Sequence, residues 1–180
     1  MDIRYNHQLN GNDSASGINI NTCDDVKVNN NLIKGFGNGI TTGDIINVYI
    51  DSNRIRECYQ NGIANNLIRT KSSKDLYIMN NIITNCGQNE RAGYEYGMYI
   101  TNIDNLFIEN NIIDSTDKKQ RYCLFLVNTG TVLNAYINNN KFLNAKDFSI
   151  RFSTNEKISL FNDNYFINSL NIPTDYVSIQ

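Results

Sequence analysis

Ionisable and aromatic side chains crowd into two stretches of this 180-residue chain. The first, within 82–96, runs through CGQNERAGYEY and gathers Glu90, Arg91, Tyr94, Glu95 and Tyr96. The second, within 112–122, runs through DSTDKKQRY and gathers Asp114, Asp117, Lys118, Lys119, Arg121 and Tyr122. A carboxylate among phenols and guanidinium groups can move protons and neutralise an acid on a ligand. Glu95, Arg121 and Tyr96 are the catalytic candidates on this reasoning. Tyr94, Tyr99, Lys119, Tyr122 and Phe125 are the candidate substrate contacts. The single histidine, His7, lies far from both stretches in sequence. Chemistry that depends on a histidine triad is therefore set aside.

A repeat must carry these residues. The eight-residue pattern apolar, any, apolar, any, any, Asn, any, apolar returns as VKVNNNLI (26–33), VYIDSNRI (48–55), LYIMNNII (76–83), LFIENNII (106–113), AYINNNKF (135–142) and, more loosely, SLFNDNYF (159–166). Its fixed Asn falls at 31, 53, 81, 111, 140 and 164, at intervals of 22, 28, 30, 29 and 24 residues. A period of this size marks a solenoid, whose repeats bury their apolar faces against one another. Alternation at the start of each unit predicts a strand. A second short strand opens GINI (17–20), GITT (39–42), GIAN (62–65) and GMYI (97–100), and continues as CLFL (123–126) and DFSI (147–150). Gly at the opening suits positive φ or close backbone approach.

Composition agrees. The chain holds 33 Asn and 25 Ile, about a third of its length. Ile is stiff and favours strands, whereas Asn tolerates turns. The balance of 16 basic and 18 acidic residues shows no basic stripe, which argues against nucleic acid as a partner. No apolar run approaches the roughly 20 residues that span a bilayer, and no signal peptide is visible, so no membrane partner is expected. The spacing of the four cysteines is not that of a zinc site. Cys58 and Cys86 would stack on adjacent repeats, either as buried apolar residues or as a disulfide.

These repeats, and GININTCDDVKVNNNLIKGFGNGI (17–40) above all, resemble the pectate-lyase-like right-handed parallel β-helix of polysaccharide lyases and phage tailspikes. The resemblance covers about residues 17–168. It implies an all-β fold with three parallel strands per coil, about six to seven coils and an Asn ladder at one bend. The whole chain, 1–180, then forms one domain, expected to be a piece of a longer protein or to have its ends covered by partners. A leucine-rich repeat shares the L-x-L-x-x-N-x-L pattern but needs a helical arm that this sequence lacks.

The resemblance also implies a polysaccharide ligand, an extracellular or virion-associated setting, and room for a homotrimer. Polygalacturonase-like members place an Asp pair where this chain reads Gly37-Asn38, Gln60-Asn61, Glu95-Tyr96 and Arg121-Tyr122, so that pair is absent. Glu95 with Glu90 or Asp114 remains an alternative pair. Along the second strand the outward residues are expected to be Thr41, Ala64, Tyr99, Phe125 and Ser149. They supply no acidic cluster for Ca²⁺, so no cofactor is expected. A calcium-free lyase would use Arg121 or Lys119 as neutraliser and a Tyr as base. Tyr99 and Phe125 would stack on sugar, or lie beneath a loop or another subunit. The two readings are a carbohydrate-directed β-helix, binding or also cleaving a polysaccharide as lyase or hydrolase, and a structural or adhesive spacer.

Overall fold

A computed structural model of the chain describes residues 2–4, 15–65, 73–88, 95–117, 119–127, 134–153, 156–168 and 177–179. Among them every element is a strand, and the strands pair in parallel. The fold is a parallel β-solenoid. The helical arm of a leucine-rich repeat is absent from the described residues.

Three files of strands run along the axis. The first holds Ser16–Asp24, Asn38–Asp51, Asn61–Asn65, Tyr96–Thr101, Tyr122–Val127 and Phe148–Phe152. The second holds the octad strands, including Lys74–Met79, Asn105–Glu109 and Asn134–Asn138. Asn38–Asp51 runs through both files without a break and joins them into one twelve-stranded sheet. Short strands after each of the six ladder Asn, together with Asp2–Arg4, form the third file, a seven-stranded sheet.

The octad explains the core. Its first and third positions point inward, so Val48, Ile50, Leu76, Ile78, Leu106, Ile108, Ala135 and Ile137 are fully buried. Its last position supplies the third file, where Ile33, Ile55, Ile83, Ile113 and Phe142 stack with no exposure. Phe166 continues that stack, its ring 5.5 Å from Phe142.

The bend uses two residues in succession. The residue before each ladder Asn takes a left-handed backbone: Asn30, Ser52, Asn80, Asn110, Asn139 and Asp163 have φ between 51° and 57°. Four of the six are Asn and one is Asp, the types that best tolerate this region. The ladder Asn then turns inward and bonds along the axis. Asn81 shows the pattern. Its backbone N–H and its Nδ2 donate to Asn111 Oδ1 at 2.9 and 3.0 Å. Its Nδ2 also donates to the Ile50 carbonyl at 2.8 Å. The same links join Asn31 to Asn53, Asn53 to Asn81, Asn111 to Asn140 and Asn140 to Asn164. Five ladder intervals are thus closed with each buried amide satisfied.

Glycine opens the first-file strands because the coils approach closely there. A Cβ on Gly39 would lie 2.3 Å from Ile55 Cγ2 and 2.4 Å from the Gly62 carbonyl oxygen. Gly62 is equally confined, at 2.4 Å from Ile83 Cγ2 and 2.7 Å from the Gly97 carbonyl. Cys58 and Cys86 are both fully buried and both are free thiols. The tail contributes Val177–Ile179, which pairs with Glu156–Asn162.

Candidate functional site

The outer face of the first file changes character along the axis. Strand pairing sets Asn19, Thr41, Ala64, Tyr99, Phe125 and Arg151 in one row. The last member corrects the sequence expectation, which put Ser149 opposite Phe125. Phe125 pairs with Arg151, and Ser149 is fully buried. A shift of two residues leaves the facing pattern intact, so alternation alone cannot detect it. The apolar pairs Leu124–Ile150 and Leu126–Phe152 fix the register instead.

A second row runs beside it, with Asn38, Asn61, Tyr96, Tyr122 and Phe148 in register. Tyr96 and Tyr122 stack at 5.5 Å, and Tyr96 also stacks on Tyr99 at 5.5 Å. Phe125 meets Tyr96 edge-on at 5.1 Å and lies 5.7 Å from Tyr99, tilted by 53°. Tyr122 is 2% exposed and Tyr96 is 8% exposed. These two rings form the support, and the half-buried Tyr99 and Phe125 form the surface above them.

Two cations border the rings. Arg121 is exposed, lies 5.3 Å from the Tyr122 ring centre, and bonds through Nε to Asp147 Oδ2 at 2.5 Å. That carboxylate holds the guanidinium above its ordinary value. Arg151 is exposed too. Its Nη1 donates to the Tyr122 hydroxyl at 2.7 Å, and its guanidinium lies 5.4 Å from the Tyr122 ring and 5.8 Å from the Phe125 ring. Among the described residues Arg151 has aromatic partners and no carboxylate. Burial pushes the Tyr96 hydroxyl up, and the neighbouring Tyr122 adds to the effect.

The other expected residues fall as follows. Glu95 is 8% exposed, and its carbonyl accepts the backbone N–H groups of Arg121 at 2.7 Å and Tyr122 at 3.3 Å. Glu95, Tyr96, Arg121 and Tyr122 thus share one corner, as the repeat predicted. Lys119 is exposed, its backbone N–H donating to Asp117 Oδ1 at 3.2 Å. Gln88 Nε2 donates to Asp117 Oδ2 at 2.9 Å, which ties the two enlarged segments together. Asp114 is engaged by Asn144 Nδ2 at 2.8 Å. Tyr94, Glu90, Arg91, Lys118 and His7 lie outside the described residues. No group of three or more metal-binding side chains occurs among the described residues.

One row escaped the sequence reading. The octad's second position, read there as any residue, holds Lys27, Tyr49, Tyr77, Phe107, Tyr136 and Leu160. Tyr49, Tyr77, Phe107 and Tyr136 form a continuous stack, with centroids 4.4, 4.6 and 4.8 Å apart and planes within 6° of parallel. Lys27 Nζ covers the Tyr49 end at 5.4 Å. The signal was four aromatics in one column of the alignment. Their ring faces are spent on one another, so a sugar meets only edges and hydroxyls there. This stack is a clamp between coils. The Tyr99–Phe125 pair is tilted and half-buried instead of stacked face to face.

No protein-family model matches the sequence, and no curated protein matches it. Among solved structures the fold is similar to that of an alginate lyase from Paenibacillus sp. str. FPU-7, with a TM-score of 0.51 and 13% sequence identity. That similarity covers 91% of this chain and 76% of the other. At this identity the likeness is one of fold: both chains are parallel β-solenoids.

Proposed function

We propose that this chain is a carbohydrate-directed β-solenoid that binds an extended acidic polysaccharide along the row Thr41–Ala64–Tyr99–Phe125–Arg151. One observation carries the reading: two half-buried aromatic rings lie beside an arginine with no carboxylate partner among the described residues. Sugars present apolar ring faces that pack on aromatics, and an acidic sugar adds a carboxylate for the guanidinium. Coils rise by about 4.8 Å, close to the length of one sugar unit, so a chain along the axis meets a new residue at each coil. The alginate lyase among similar folds supports an acidic polysaccharide, alginate included.

Binding is better supported than cleavage. Tyr96 and Glu95 are both 8% exposed, so a proton transfer through either requires the covering groups to move. In a cleaving version of this reading, Arg121 or Lys119 neutralises the uronate and Tyr96 or Glu95 serves as acid or base. A screen of immobilised acidic and neutral glycans tests the proposal. The expected result is retention on uronic-acid polymers, weakened by salt. No retention on any acidic glycan refutes it. Ultraviolet absorbance of an unsaturated sugar in the same mixtures would register elimination, and new reducing ends without it would register hydrolysis.

A further inference from the structure

We propose that Cys58 and Cys86 constitute a redox site, closing to an inter-coil disulfide when the protein meets an oxidising thiol–disulfide couple. The argument is independent of the glycan reading. Each cysteine stands five residues after its ladder Asn. The Gly87 N–H donates to the Cys58 carbonyl at 3.0 Å, the parallel pairing that sets residues 58 and 86 directly opposite each other. Opposed residues on neighbouring parallel strands have Cα atoms about 4.8 Å apart, within the roughly 4.4–6.8 Å that a disulfide spans.

The sulfurs also share a direction. A Cβ on Gly39 would lie 3.3 Å from Cys58 Sγ, and one on Gly62 would lie 3.4 Å from Cys86 Sγ. Gly39 and Gly62 are themselves neighbours in the stack, so both thiols face the same interior column. Both are fully buried, and each thiol donates to the carbonyl two residues before it, Cys58 to Arg56 at 3.7 Å and Cys86 to Thr84 at 3.6 Å. The other two cysteines stand opposite no cysteine. Cys23 pairs with Ile45, and the Cys123 thiol donates to the carbonyls of Ile113 and Leu143.

The site sits at the root of the aromatic corner. Cys58 leads into Gln60 and Asn61. Cys86 leads into Gly87, whose left-handed backbone (φ +73°) packs against Glu95 and Tyr96, where a Cβ would come within 2.5 Å. A bond between the two sulfurs therefore staples the coils that deliver these residues. The chemistry is ordinary exchange. One cysteine thiolate attacks a sulfur of oxidised glutathione and expels one glutathione thiolate. The second cysteine thiolate attacks the mixed disulfide and expels the other. Two protein thiols are oxidised, one glutathione disulfide is reduced to two thiols, and the protons lost by the cysteines are taken up by the glutathione. Burial makes the exchange depend on local opening of the coils.

The test uses the full chain carrying Cys23→Ser, which leaves three of the four thiols. It is incubated with oxidised glutathione, once folded and once near its urea midpoint, and then refolded, digested and mapped by mass spectrometry. The expected result is loss of two thiols, a peptide joining Cys58 to Cys86, and a raised urea midpoint in the oxidised chain. A cross-link under either condition supports the proposal. Three persistent thiols under both conditions, an unresolved glutathione adduct on residue 58 or 86, or a cross-link through Cys123 overturns it. Because the reading rests on the Cys23→Ser chain, it stands even if a Cys58→Ala control fails to fold.

Discussion

The rings of Tyr77 and Phe107 are stacked, 4.6 Å apart and 6° from parallel, while those of Tyr99 and Phe125 lie 5.7 Å apart and tilted by 53°. Both pairs stand on outer faces of neighbouring coils. They differ in how the rings meet. The first pair spends its faces within the protein. The second is tilted and half-buried, with Arg151 over the Phe125 ring. The same residue types thus serve cohesion on one side of the solenoid and, in the proposed reading, recognition on the other.

Phe107→Ala removes two ring contacts, at 4.6 and 4.8 Å, from the clamp. It is expected to destabilise the fold by about 1–2 kcal/mol. Glycan binding should persist, because the proposed ligand surface is the row of Tyr99, Phe125 and Arg151. Urea unfolding and a binding titration on the same variant check both halves. A loss of affinity in a chain that remains folded would move the ligand surface to this face.

Asn81→Ala deletes both hydrogen bonds donated by Nδ2 and both accepted by Oδ1 from Asn53. It leaves the Asn53 N–H and the Ile50 carbonyl without their side-chain partner in the interior. The expected cost is about 3 kcal/mol. Asn81→Asp should cost at least as much, since it removes the donor and buries a charge at a position with no exposure. Chemical denaturation measures both, and a cost near zero for either would remove the ladder from the account of stability.

Gly62→Ala places a methyl group 2.4 Å from Ile83 Cγ2 and 2.7 Å from the Gly97 carbonyl oxygen. Neither neighbour can yield cheaply, because one lies in the core stack and the other is backbone. Overpacking of this kind is expected to cost about 1–3 kcal/mol. A thermal or urea midpoint equal to that of the parent would show that the coils can separate there.

Burial raises the Cys123 thiol from 9.0 to about 12. The folded chain therefore keeps a proton that the unfolded chain loses above pH 9. Stability contributed by this group is present below pH 9 and declines as pH rises toward 12. Cys58 is raised in the same direction, first by its hydrogen bond with Cys86 and then by burial. Cys123→Ala should flatten part of the alkaline decline measured by urea unfolding at a series of pH values. An unchanged slope would contradict the assignment.

The ladder and the core were legible because six copies of one octad repeat the same demands. Asn53, Asn81 and Asn111 stack as their spacing required, and Ile55, Ile83 and Ile113 follow two residues later. The corner of Glu95, Tyr96, Arg121 and Tyr122 was also legible, since it depends on alignment alone. Arg151 was not. The strand containing Phe148 and Ile150 fits two registers of the same facing, and only packing against Leu124 and Leu126 chooses between them. The stack from Tyr49 to Tyr136 was missed for another reason. Its column varies between Lys, Tyr, Phe and Leu, which looks unconstrained until the rings are seen parallel.

Calorimetric titration of a uronic-acid polymer into the parent chain, Tyr99→Ala and Arg151→Ala addresses the functional claim most directly. The parent is expected to bind with salt-sensitive affinity. Arg151→Ala should lose about tenfold and most of the salt dependence, and Tyr99→Ala should lose about tenfold while retaining that dependence. Equal affinity in all three folded chains, or no binding by the parent, would contradict the account.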